Sequence, residues 1–160
     1  MSEAMSQDEL NPLERHHTEL ARATAAAMRR HYQEAVEIAS ELLTSGVYDE
    51  MAAADAEAAR AARAETRLMM ATAMHYSDAH YEDILRVLKA AMDSPAEVRK
   101  DVAFTAGVVH ASFNHFAEAR ESLGKALEAI AELRGRGSED PEMAEKERDV
   151  TEFLSQLPES

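Results

Sequence analysis

A thirteen-residue pattern occurs three times in this chain: HYQEAVEIASELL at His31–Leu43, HYEDILRVLKAAM at His80–Met92 and HFAEARESLGKAL at His115–Leu127. Each copy opens with His and an aromatic, places an acid fourth, and continues with small or aliphatic residues at helical spacing. A unit that recurs in this way is one supersecondary element, too small to bury its apolar face alone, so neighbouring copies must stack. The copies start 49 and 35 residues apart. The second interval is near a regular repeat period, and the Ala-rich MAAADAEAARAARAE supplies the extra length of the first.

Composition makes the stacked elements helices. Aromatics are only 5% of the residues, and no stretch shows the Val/Ile/Tyr alternation of a strand. The four prolines sit where helices begin or end, so the fold class is all-α. The punctuation predicts about seven helices. Asn11 and Pro12 open the first, to about Arg30; Tyr32 begins the second, which stops near Gly46. Asp49 caps a long third helix to about Tyr76, and Asp78 a fourth to near Ser94. Ser94, Pro95 and Glu97 form a capping-box signal for a fifth, to about Phe113. The sixth runs from about Phe116 to Arg134, and after a loop with Gly135 and Gly137, Asp140 and Pro141 open a seventh to about Gln156.

A length of 160 residues, 46% of them apolar, suits one domain with a sizeable core. The absence of cysteine excludes disulfides, thiolate metal sites and a cysteine nucleophile. A net charge of −14 argues against nucleic-acid phosphates as partners. Much of that charge sits at the ends: residues 1–14 carry −4 and residues 138–160 carry −6, leaving −4 for the body. Residues 1–12 read as an acidic disordered tail, and no apolar run is long enough for a membrane span or a signal peptide. The expectation is a cytoplasmic protein without membrane contact.

The repeat resembles the tetratricopeptide family, whose helix–turn–helix units stack into a superhelix. Small residues where neighbouring helices touch match Ala23 and Gly107, with Thr72 between them. The aromatic that opens the second helix of each unit matches Tyr32, Tyr81 and Phe116, and the small residue three further on matches Ala35 and Ala119, with Ile84 in its place in the middle unit. The chain departs from the pattern in lacking Trp and in placing Arg30, Ala79 and Asn114 where the family has a turn glycine. The resemblance implies three hairpins over residues 13–134 and a polar capping helix over 138–157. It also implies a non-enzymatic adaptor or small chaperone that binds another protein or peptide in a concave groove.

Carried over position by position, that groove is lined by Leu20, Thr24 and Ala27, by Met69, Ala73 and Tyr76, and by Phe104, Val108 and Ala111. These residues are apolar or small, and the Lys and Asn of a carboxylate clamp do not occur among them. An extended apolar peptide or an amphipathic helix is therefore the expected occupant. Apolar residues at this spacing are also what a plain core requires, so burial of Met69, Tyr76 and Phe104 together would remove the groove.

Two further readings stay open. Seven histidines among many acids, with Glu14 and His17 at the spacing of half a di-iron site, fit a metal-binding helical bundle. A self-associating subunit would bury its apolar face against copies of itself. His75 and His110 occupy one repeat position, and Arg60, Arg63 and Arg67 form a basic stripe, read as a solvated face balanced by Glu57 and nearby acids. No phosphate loop or nucleophile motif is present, so neither a catalytic residue nor a cofactor is expected.

Overall fold

The computed structural model describes residues 10–159, so most of the expected N-terminal tail, residues 1–9, lies outside the described residues. Eight helices and no strand are found among the described residues. The chain divides between Ala79 and His80 into two compact units. The boundary falls inside the second of the three hairpins expected from the repeat.

The first unit holds α1 (Pro12–Met28), α2 (Tyr32–Thr44), α3 (Val47–Ala54) and α4 (Ala56–Tyr76). Asn11 starts α1 with a reciprocal cap: its Oδ1 accepts from the Glu14 amide at 2.8 Å while its own amide donates to the Glu14 carboxylate at 3.2 Å. α1 and α2 form an antiparallel pair, and α4 lies against α2, with Ala23, Ala26, Ala35, Ile38 and Ala73 as the shared core. Alanines at these contacts let the helix backbones approach closely.

The single long third helix expected from Asp49 to Tyr76 is in fact two. α3 starts after Gly46, whose φ of +86° favours a residue without a side chain, and it ends at Asp55. Asp55 is extended, with φ −156° and ψ 99°, and its carboxylate caps α4 by accepting from the Ala58 amide at 3.1 Å. The break is forced by packing. Val47, Tyr48 and Met51 fold back onto Ala59 and Ala62, and the Tyr48 hydroxyl lies 2.5 Å from Thr66 Oγ1. In one straight helix, residues 48 and 66 would be about 27 Å apart at 1.5 Å per residue.

The second unit holds α5 (Tyr81–Ala91), α6 (Ala96–Ser112), α7 (Phe116–Gly135) and α8 (Pro141–Gln156). α6 and α7 pack most intimately, and Gly107 is the reason: a Cβ there would lie 2.7 Å from Leu123 Cδ2. α8 begins as expected, with Asp140 Oδ1 accepting from the Glu142 amide at 2.9 Å and Pro141 in the first turn.

Other helix ends differ from the sequence reading. Asp78 is not the cap of α5 but a turn residue with φ +63°, and His80 holds the N-cap position without a side-chain bond. The Ser94 capping box does not form either. Ser94 is buried and donates its hydroxyl to the Ala91 carbonyl, and α6 starts after Pro95. α1, α4 and α6 close alike: Arg30, Asp78 and Asn114 take left-handed φ of 65°, 63° and 66°. The following amides, His31, Ala79 and His115, reach back to Ala26, Met74 and His110 carbonyls at 2.8, 3.0 and 2.8 Å. In the middle turn the left-handed residue is thus Asp78, one position before Ala79.

Candidate functional site

The eight principal groove residues come from α1, α4 and α6 and so divide between the units, with Leu20, Thr24, Met69, Ala73 and Tyr76 in the first and Phe104, Val108 and Ala111 in the second. Leu20, Thr24, Ala27 and Met69 are half-buried, and Ala27 and Met69 rest on the same alanine-rich core. Thr24 spends its hydroxyl on the Leu20 carbonyl at 2.9 Å. Ala73, by contrast, is 1% exposed and belongs to that core, because it faces α2 rather than solvent. Tyr76 is 64% exposed and lies on Tyr32, with ring centroids 5.5 Å apart and planes 19° from parallel.

In the second unit, Val108 and Ala111 are half-buried on α6. Phe104 is half-buried too, but its ring is covered by α8: Phe153 meets it edge-on at 6.1 Å and Lys146 Nζ sits 4.7 Å from its centroid. α8 is held there by Val150, Phe153 and Leu154 and by the ion pairs Lys146–Asp101 at 3.2 Å and Arg134–Glu147 at 2.6 Å. α8 therefore takes the place beside Phe104 that the sequence reading left to a partner.

His16, His31 and His115 go to structural partners. His16 is fully buried, its Nδ1 2.9 Å from the Tyr48 hydroxyl, which continues to Thr66 and through Thr66 to the Ala62 carbonyl. His16 Nε2 lies 3.4 Å from Glu65 Oε1 yet lacks hydrogen-bond geometry to it. Burial pushes the Tyr48 phenol up to about 12, opposed by the Thr66 hydrogen bond. His31 and His115 each face the acid three residues on, Glu34 at 3.5 Å and Glu118 at 3.7 Å. Among the described residues no three His, Asp or Glu side chains gather as a metal ligand set. In the basic stripe, Arg60 pairs with Glu57 at 2.7 Å and Arg63 with Asp49 at 3.3 Å.

A second cluster was not anticipated. The Tyr81 hydroxyl is 2.6 Å from His110 Nδ1, and its ring stacks on His115 at 4.5 Å, 10° from parallel, and tilts against Phe113 at 4.9 Å. Burial raises the Tyr81 phenol, helped by Glu118 and Glu82. Burial likewise holds His110 below its ordinary value, against the pull of Glu118. Both shifts fit a neutral phenol donating to a neutral imidazole. The only sequence signal was the repeat itself, since the aromatic of one copy meets a histidine just before the next.

This cluster closes one end of a cleft of about 400 Å³ between α5, α6 and α7. Among the described residues no helix is long and apolar enough to cross a membrane. Comparison with protein-family models, with curated proteins and with solved structures finds no match to this chain.

Proposed function

We propose that the chain is a non-enzymatic protein-interaction module, similar to tetratricopeptide adaptors or small chaperones, that holds a segment of another protein on the α1/α4 face of its first unit. The observation that carries this is Tyr76, a large amphipathic side chain left 64% exposed and fixed flat on Tyr32. A rigid exposed aromatic supplies contact area at little entropic cost, which is the character of an interface anchor. Leu20 and Met69 extend the patch along α1 and α4, and the occupant that suits it is an apolar peptide or the apolar face of a helix.

The test is affinity capture from the native extract with wild type, Tyr76→Ala, Leu20→Glu and, as a control in the other unit, Phe113→Ala, all checked for helicity by circular dichroism. One protein retained by wild type and by the control but lost from the first two variants is the expected outcome. Equal retention by all four would refute the site. Self-association is the second reading, favoured by Met28 at 81% exposure. Light scattering separates the two, because a concentration-dependent dimer abolished by Met28→Glu would assign the exposed apolar residues to a second copy.

A further inference from the structure

The cleft of the second unit has walls of opposite character. From α5, Leu85, Leu88 and Met92 present an apolar face; from α7, Glu118, Glu121, Ser122 and Lys125 present a polar one, each set at helical spacing. The floor is Ala103 and Ala106 of α6, whose short side chains leave the space between the two helices open. Two helix faces of like polarity would close on each other. An apolar wall opposite a polar one is matched only by an occupant that is itself amphiphilic, and the volume of about 400 Å³ lies within the range of small-molecule sites.

Charge along the cleft gives the occupant a direction. α5 and α7 start side by side, since Tyr81 stacks on His115, and this aromatic end carries Glu118. Lys89 follows Tyr81 by eight residues, about 12 Å along a helix, and Lys125 follows His115 by ten. Both lysines line the cleft on facing elements. Lys125 has Glu121 at 3.6 Å, whereas Lys89 makes no ion pair among the described residues. Lys89 is therefore the one lysine of this cleft that no carboxylate pairs with among the described residues, and its charge also reaches His110.

We propose that this cleft binds a free single-tailed anionic amphiphile, a medium-chain carboxylate, with its head between Lys89 and Lys125, one turn from Met92, and its chain along Leu85, Leu88 and Ala106 toward the Tyr81–His110 pair. The site is distinct from the peptide face of the first unit and does not depend on it. Leu88 and Ala103 are each 1% exposed and lie beneath the cleft, so the apolar surface open to the occupant is that of half-buried Leu85 and Met92.

The probe is sodium decanoate below its micellar concentration, titrated into the full chain by calorimetry and followed by methyl NMR of methionine, with the Met92 signal assigned through Met92→Leu. The expected result is saturable one-to-one binding with a Kd of about 10–100 μM and a shift confined to Met92 among the methionines. Lys89→Gln/Lys125→Gln, both surface changes, should weaken binding about tenfold, and decyltrimethylammonium should bind at least about tenfold more weakly than decanoate. Ala106→Met should fill the floor and abolish binding. No saturable binding, equal binding of the cationic amphiphile, or undiminished binding by the double lysine variant would overturn the proposal. Shifts at Met92 caused by an acidic Leu/Glu amphipathic peptide, with none caused by decanoate, would overturn it in favour of a docked helix.

Discussion

Tyr48 shows most directly how one side chain organises the first unit. Among the described residues its hydroxyl is the only hydrogen-bond partner of the buried His16 ring, and it also meets Thr66, so three helices are joined through one oxygen. Tyr48→Phe is expected to cost about 1–3 kcal/mol, because His16 Nδ1 is left buried without a partner. Denaturant unfolding followed by circular dichroism measures it. The phenol also sets an alkaline limit. Its folded value of about 12 lies above the ordinary 10, so its stabilisation is intact below pH 10 and fades as pH rises through 12, about 3 kcal/mol in all. That loss should vanish in Tyr48→Phe. Gly107 and Gly124 make a second residue-scale contrast. Alanine favours a helix by about 1 kcal/mol over glycine, so Gly124→Ala, with open space around it, should raise stability by about that amount. Gly107→Ala meets Leu123, itself fully buried, and overpacking of about 1–3 kcal/mol outweighs the gain. Thermal melts of the two variants should shift in opposite directions.

At the scale of elements, the clearest lesson is Asp55. Asn11–Pro12 and Asp140–Pro141 were legible as helix starts because a cap and its amide lie within three residues of each other. Asp55 stands in an Ala-rich run whose local preferences all favour an unbroken helix, and its cap bond to Ala58 is equally local. What selects the break is the return of Val47, Tyr48 and Met51 onto α4. Asp55→Ala removes the cap and should cost about 1 kcal/mol, while raising the helicity of isolated 47–76 peptides, where no tertiary contact opposes the continuous helix. Circular dichroism of the peptide pair and melting of the full-length variant check both halves. An isolated peptide that loses helicity would show that Asp55 merely caps. The Ser94 signal failed for the converse reason: the hydroxyl that would have capped α6 is buried and turned back to Ala91.

For the whole molecule, charge is the property the sequence states outright, and its consequence is measurable. A formal −14 repels itself, and this repulsion is screened over about 10 Å at 0.1 M salt. The ion pairs that salt would weaken are mostly exposed, as at Arg60–Glu57 or Arg86–Asp83, and such pairs contribute about 0–1 kcal/mol each at most. Raising NaCl from about 10 to 200 mM should therefore raise Tm by a few degrees. A fall in Tm would mean that the surface pairs outweigh the net repulsion.

The sequence by itself determined that the chain is helical, where most helices begin, and which small residues let helices touch. Helix propensity, caps and turn closures act between residues a few positions apart, as the His31, Ala79 and His115 amides show. The tertiary structure alone decided which faces stay open. Ala73 and Met69 share one helix and one repeat pattern, yet the first is core and the second half-exposed, according to what α2 covers. Phe104 read as groove until Phe153, 49 residues away, closed over it. His16, Tyr48 and Thr66 carry no mutual signal in the sequence, and Tyr81 and His110 only that of the repeat, because such pairs form only once packing brings distant side chains out of water together.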